Sequence, residues 1–121
     1  MNLSQSELAA RQTEAEFESA VVQFAQLHHW KVAGFRPARV TKDGKETYRT
    51  AWKYSGMGFP DLVCVRPQDH RPGRILFIEL KSEKGKLSQE QEWWARAITA
   101  ANGEWYSWKP SMWPQIESVL K

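Results

Sequence analysis

Two short runs, Asp61–Arg66 (DLVCVR) and Arg74–Lys81 (RILFIELK), constrain the fold more than any other part of the chain. Both are rich in β-branched and large apolar residues, and PQDHRPG between them is built from turn formers. So tight a connection predicts an antiparallel pair, because a parallel crossover needs a dozen or more residues. The flanks supply helices to cover such a sheet. Over residues 12–29, Phe17, Ala20, Val21, Phe24, Ala25 and His28 recur at helical spacing, with Thr13 as N-cap and acids at 14, 16 and 18 near the positive helix end. A second helix opens at Ser88, which forms a capping box with Gln91. It buries Trp94, Ala97, Ile98 and Ala101 and closes at Asn102-Gly103.

Lys31–Arg36 and Glu104–Lys109 read as further strands, and Ser111 as the cap of a last helix reaching about Leu120. Between the first two strands, Asp43-Gly44 marks the turn of a hairpin from Val40 to Tyr48. The predicted order is α-β-(hairpin)-β-β-α-β-α. It describes an α/β fold, a central mixed sheet flanked by helices with one inserted basic β-hairpin.

A chain of 121 residues has room for one such core, so residues 1–121 are expected to form a single domain with 1–11 a flexible terminus. A lone Cys64 excludes a disulfide framework and an all-cysteine metal site. No apolar run approaches the roughly 20 residues of a membrane span, and MNLSQSELAARQTEAEFE lacks the pattern of a signal peptide. A cytoplasmic protein without a membrane partner is the expectation. The net charge of +3 is unevenly spread: residues 31–74 hold ten bases and four acids. That balance suggests a polyanion as partner, although a solvated hairpin carries the same charges.

The chemistry gathers at Gly58-Phe59-Pro60-Asp61 and Glu79-Leu80-Lys81. Glu79 and Lys81 leave one face of a strand, and antiparallel pairing brings Asp61 to the same sheet end. Two carboxylates and an ammonium there suit a hard divalent ion on a phosphate. Pro60 would aim Asp61 by fixing the backbone before it. A turn aspartate beside a surface Glu–Lys pair is the bland alternative. Against it, Glu79 follows the apolar run Ile75-Leu76-Phe77-Ile78, where a carboxylate is costly without a task. Glu14 falls on the inward side of the first helix with Glu18 on its flank, and Gln91 on that of the second; a helix-capping role is open for both Glu14 and Gln91. His28-His29 reads as a helix end, His70 as a solvated turn residue, and Cys64 as an inert buried thiol.

The run GMGFPDLVCV…RILFIELKSEKGKLSQEQEWW, with EWYSWKPSMW after it, resembles the VRR-NUC branch of the PD-(D/E)XK nuclease superfamily. That branch includes small phage-encoded nucleases and the C-terminal domain of a Fanconi-associated DNA-repair nuclease. The resemblance implies a restriction-endonuclease-like fold and Mg²⁺- or Mn²⁺-dependent phosphodiester hydrolysis in DNA, including branched DNA. A homodimer suits paired cuts in a two-fold junction, and a bacterial or phage-infected cytoplasm is the expected setting. Its catalytic set falls on Glu14, Asp61, Glu79, Lys81 and Gln91. Asp61, Glu79 and the Leu80 carbonyl are the implied metal ligands, with Glu14 reaching the ion directly or through water and Glu18 its competitor on the same helix. Arg36, Arg39, Lys42, Lys45, Arg49 and Lys53 would hold flanking phosphates, while Trp52 and Tyr54 would stack on unpaired bases or pack on the core. The segment 37–55 is longer than in small phage members. A non-catalytic nucleic-acid-binding module using the basic 31–74 region is the alternative, and a Trp-rich dimerising assembly protein a third.

Overall fold

The computed structural model describes residues 13–35, 38–42, 45–49, 53–67 and 72–121, with 38–42 and 45–49 as backbone. Helix α1 spans Glu14–Leu27 and β1 Lys31–Gly34; β2 (Ala38–Lys42) and β3 (Lys45–Arg49) follow, then β4 (Leu62–Arg66) and β5 (Arg74–Leu80). Helix α2 (Gln89–Ala100), β6 (Glu104–Trp108), a 3-10 turn (Pro110–Met112) and α3 (Trp113–Leu120) complete the chain. The four-stranded sheet runs β1-β4-β5-β6, antiparallel except for the parallel β5–β6 pair joined through α2. β2 and β3 form a separate antiparallel ladder with Lys42 opposite Lys45, in agreement with the hairpin expected around Asp43-Gly44. The turn itself, the 1–11 terminus, Arg36, Trp52 and His70 lie outside the described residues.

Alternation along β4 and β5 gives the sheet two unlike faces. Leu62, Cys64, Leu76, Ile78 and Leu80 point into a core shared with Phe17, Val21 and Ala25 of α1, Trp108 of β6, and Ile116 and Leu120 of α3. Each fully buried aliphatic side chain contributes about 1.5–3 kcal/mol relative to exposure. The opposite face carries Phe77 and Glu79. α2 lies there, with Phe59 lodged edge-on between Phe77 and Trp94.

The helix ends follow the expected chemistry. Thr13 Oγ1 accepts from the Glu16 N–H at 3.0 Å, and the Ser88–Gln91 capping box is present in both directions. His28 caps α1, and His29 and Asn102 adopt left-handed backbone with φ of 69° and 65°. One cap differs from expectation. Pro110 starts a 3-10 turn, α3 begins three residues later at Trp113, and no side chain caps it. The Ser111 hydroxyl instead donates to Glu83 Oε2 at 2.8 Å, because that carboxylate also takes the Ser111 N–H.

At the sheet end where β5 begins, two guanidiniums tie the helices together. Arg66 stacks 4.2 Å from the Trp30 ring centroid and donates to the carbonyls of His28, Leu120 and Lys121, so one cation serves the negative ends of α1 and α3. Arg74 grips Glu104 through two bonds of 2.9 and 2.6 Å. Those bonds, joined by one from the Tyr106 hydroxyl, hold the Glu104 carboxyl below its ordinary range against the opposing effect of burial. A lowered folded-state pKa contributes stability above the unfolded value, which is lost as pH falls through the folded one. Glu104→Gln should therefore unfold at lower urea than wild type at pH 7. The gap should close on acidification through and below the usual glutamate range, a trend that pH-resolved urea titrations would check.

Candidate active site

β4 and β5 pair with Leu62 opposite Ile78, so continuing the register by one residue sets Asp61 opposite Glu79. Asp61 is held on two sides. Its Oδ2 accepts the Leu80 N–H at 2.8 Å, and its carbonyl accepts the Phe35 N–H at 2.7 Å. Pro60, fully buried, precedes it with a fixed φ. The sequence Gly-x-Pro-Asp thus delivers a carboxylate to the end of β4 on a backbone with little freedom.

Glu79 is 3% exposed, the sole buried charged residue among those described. Gln91 Nε2 donates to its Oε1 at 2.7 Å, and Lys81 Nζ stands 3.8 Å from the same oxygen. Oε2 is likewise sealed from solvent. A buried carboxylate is tolerated only with hydrogen bonds and an opposite charge, and both are here. Gln91 serves two masters: its Oε1 accepts the Ser88 N–H at 2.8 Å in the capping box while its nitrogen reaches Glu79. One side chain therefore closes the capping box and reaches the Glu79 carboxylate. Lys81 extends β5, its N–H donating to the Trp108 carbonyl at 2.9 Å.

The two helix-one acids part company. Glu14 sits exposed in the first turn of α1, whereas Glu18 is half-buried, its Oε1 3.9 Å from where a Cβ of Gly34 would stand. Gly34 ends β1 opposite Leu62, next to Asp61. Of the residues expected to meet DNA, Lys53 and Tyr54 are exposed, and Tyr54 takes a left-handed φ of 57°. Arg39, Lys42, Lys45 and Arg49 occupy positions on the β2–β3 ladder.

Three features went unread in the sequence. Gly58, placed only as a motif glycine, has φ of 85° and lies against the first turn of α2. Trp94, taken as part of a buried stripe, donates its indole N–H to the Met57 carbonyl at 3.1 Å. Glu83, just past Lys81, binds Ser111 while its carbonyl accepts from Lys109 Nζ at 3.0 Å, which pins the loop carrying Lys84 and Lys86. Cys64 is inert as expected, burial pushing its thiol up to about 11.

Among the described residues no three His, Cys, Asp or Glu side chains are grouped closely enough to hold a metal ion, and no helix is long and apolar enough to cross a membrane. The carboxylates that meet where β4 starts and β5 ends, those of Asp61 and Glu79, offer oxygen ligands, the chemistry of a hard cation such as Mg²⁺. No curated protein and no solved structure gives a significant match to the chain. The family model for the VRR-NUC domain does match, over residues 9–108, from the segment before α1 through β6. With its mixed four-stranded sheet flanked by helices, the chain belongs to the VRR-NUC domain family, whose function is of nuclease type.

Proposed function

We propose that the chain is a Mg²⁺- or Mn²⁺-dependent deoxyribonuclease that hydrolyses phosphodiester bonds and prefers branched DNA. The observation that carries this reading is Asp61 set opposite a buried Glu79 whose Oε1 is shared by Lys81 and Gln91. Asp61, Glu79 and the Leu80 carbonyl would hold the ion. Two carboxylates are enough, because Mg²⁺ keeps several waters and takes its remaining ligands from substrate phosphate. When bound, the ion supplies a water of lowered pKa and positive charge for a scissile-phosphate oxygen.

The chain's own residues do the rest. Gln91 keeps the Glu79 carboxylate oriented, and Lys81 brings a fixed ammonium to orient the attacking water or stabilise developing negative charge. Glu18, half-buried beside Gly34, is better placed than Glu14 to reach this sheet end through water. Arg36, Arg39, Lys42, Lys45, Arg49 and Lys53 would hold phosphates, with Trp52 and Tyr54 stacking on unpaired bases. The exposure of Lys53 and Tyr54 supports that role for those two. A two-fold homodimer would suit paired cuts in a two-fold junction, and the cytoplasm is the proposed setting.

Purified protein with Mg²⁺ or Mn²⁺ should cut flap, splayed-arm or four-way DNA faster than linear duplex, and EDTA should abolish cutting. Asp61→Ala and Lys81→Ala should each lower the rate by about 10²-fold or more, the scale of losing one charge-stabilising group. Salt-sensitive binding without cleavage under any metal would favour the binding-module alternative. Stability should separate the roles of the two partners at the buried carboxylate. Gln91→Ala removes a hydrogen bond from a buried charge and one half of the capping box, so urea unfolding should show a loss of about 1–3 kcal/mol. Glu79→Gln removes the buried charge at nearly constant volume, so it should abolish cleavage while leaving the unfolding midpoint unchanged or raised.

A further inference from the structure

We propose that Trp94 is a positioning residue: by clasping the 57–61 loop to α2 it sets Asp61 against Glu79 and thereby the affinity of the site for its divalent ion. The proposal rests on the reading of Asp61 and Glu79 as ion-holding carboxylates. Three independent contacts make the clasp. The Trp94 indole N–H donates to the Met57 carbonyl at 3.1 Å. The Phe59 ring meets Trp94 edge-on at 5.1 Å, with Phe35 and Phe77 at 5.5 and 6.0 Å on its other sides. Between them, Gly58 lies so close to the helix that a Cβ would stand 2.6 Å from the Glu90 carbonyl carbon and 2.8 Å from the Gln91 nitrogen. With φ of 85° as well, that position is closed to any other residue without rearrangement.

The consequence follows from which part of α2 is used. The same opening turns that receive Gly58 and Met57 carry Gln91, which holds Glu79 at 2.7 Å. Glu79 lies on β5 and Asp61 just before β4, yet both are referenced to one helix end. Phe59 and the fully buried Pro60 then transmit the loop's position to Asp61 over two residues of restricted backbone. A small ion tolerates little error in ligand placement, since Mg²⁺ demands near-ideal octahedral geometry at about 2.0–2.1 Å. Loosening the clasp therefore acts on ion affinity before it acts on folding or on DNA contact.

Trp94→Phe keeps an aromatic ring and removes the N–H. Trp93→Phe is the control: this neighbour is 56% exposed, and its edge-on contact with the Trp94 ring at 5.3 Å is one a phenyl ring keeps. Mn²⁺ binding to the full chain would be followed by calorimetry, Mn²⁺-dependent cleavage by initial rates, and DNA binding in EDTA by anisotropy. Trp94→Phe should raise both the Mn²⁺ dissociation constant and the half-activating concentration by about 3- to 10-fold, below the loss typical of groups bonded directly to a ligand. At saturating Mn²⁺ its kcat should recover, with KM for DNA and affinity in EDTA unchanged. Trp93→Phe should match wild type, and Gly58→Ala, if folded, should exceed Trp94→Phe in the same direction. Mn²⁺ affinity equal to wild type in Trp94→Phe overturns the proposal, as does a matching loss of DNA affinity in EDTA or a lowered melting temperature with ion binding intact. A wild-type chain that takes up no Mn²⁺ and cuts no DNA overturns the nuclease-site reading instead, and this proposal with it.

Discussion

The buried carboxylate of Glu79 is the constraint around which the rest is arranged. A charge 3% exposed at the end of a central strand would be expelled or neutralised without compensation. Lys81 supplies the opposite charge from two residues on, and Gln91 supplies a donor from another element altogether. Because that donor belongs to the capping box of α2, the helix cannot start elsewhere without abandoning the carboxylate. The start of α2 in turn receives Gly58 and Met57, which set the entry to β4. One costly charge thus couples two strands, a helix start and a loop.

The two ends of the sheet divide the labour. Where β5 begins, Arg66 and Arg74 stack over Trp30 and gather the carbonyl ends of α1 and α3, joining covalently distant segments through cations that need no solvent-exposed function. Where β5 ends, charges and polar groups meet that do not maximise stability, and the apolar face beneath them with its two helices bears that cost. The guanidinium anchor and the buried carboxylate thus lie at opposite ends of the sheet.

Most of the architecture was legible because it rests on local signals. Apolar runs marked β4 and β5, Asp43-Gly44 marked the hairpin, and Ser88 with Gln91 marked the start of α2. What escaped depends on partners far away in sequence. A helical wheel gives an angle about the axis but not the level at which a strand ends, so it shows nothing of the place of Glu18 beside Gly34. Ser111 looks like a cap until Glu83, 28 residues earlier, takes its hydroxyl. Trp94 has the spacing of a core residue, and nothing local shows that its N–H ends on the Met57 carbonyl. Asp61, Glu79, Lys81 and Gln91 were readable as a set because strand alternation and register alone bring three of them to one face.

Among the described residues, β2 and β3 form a main-chain ladder of their own, bonded to each other and to none of the four central strands. Main-chain pairing in β1, β4, β5 and β6 does not draw on this ladder. The sheet end where Asp61 and Glu79 meet and the β2–β3 ladder thus answer to separate sets of main-chain bonds, so a change of pairing in one is not imposed on the other.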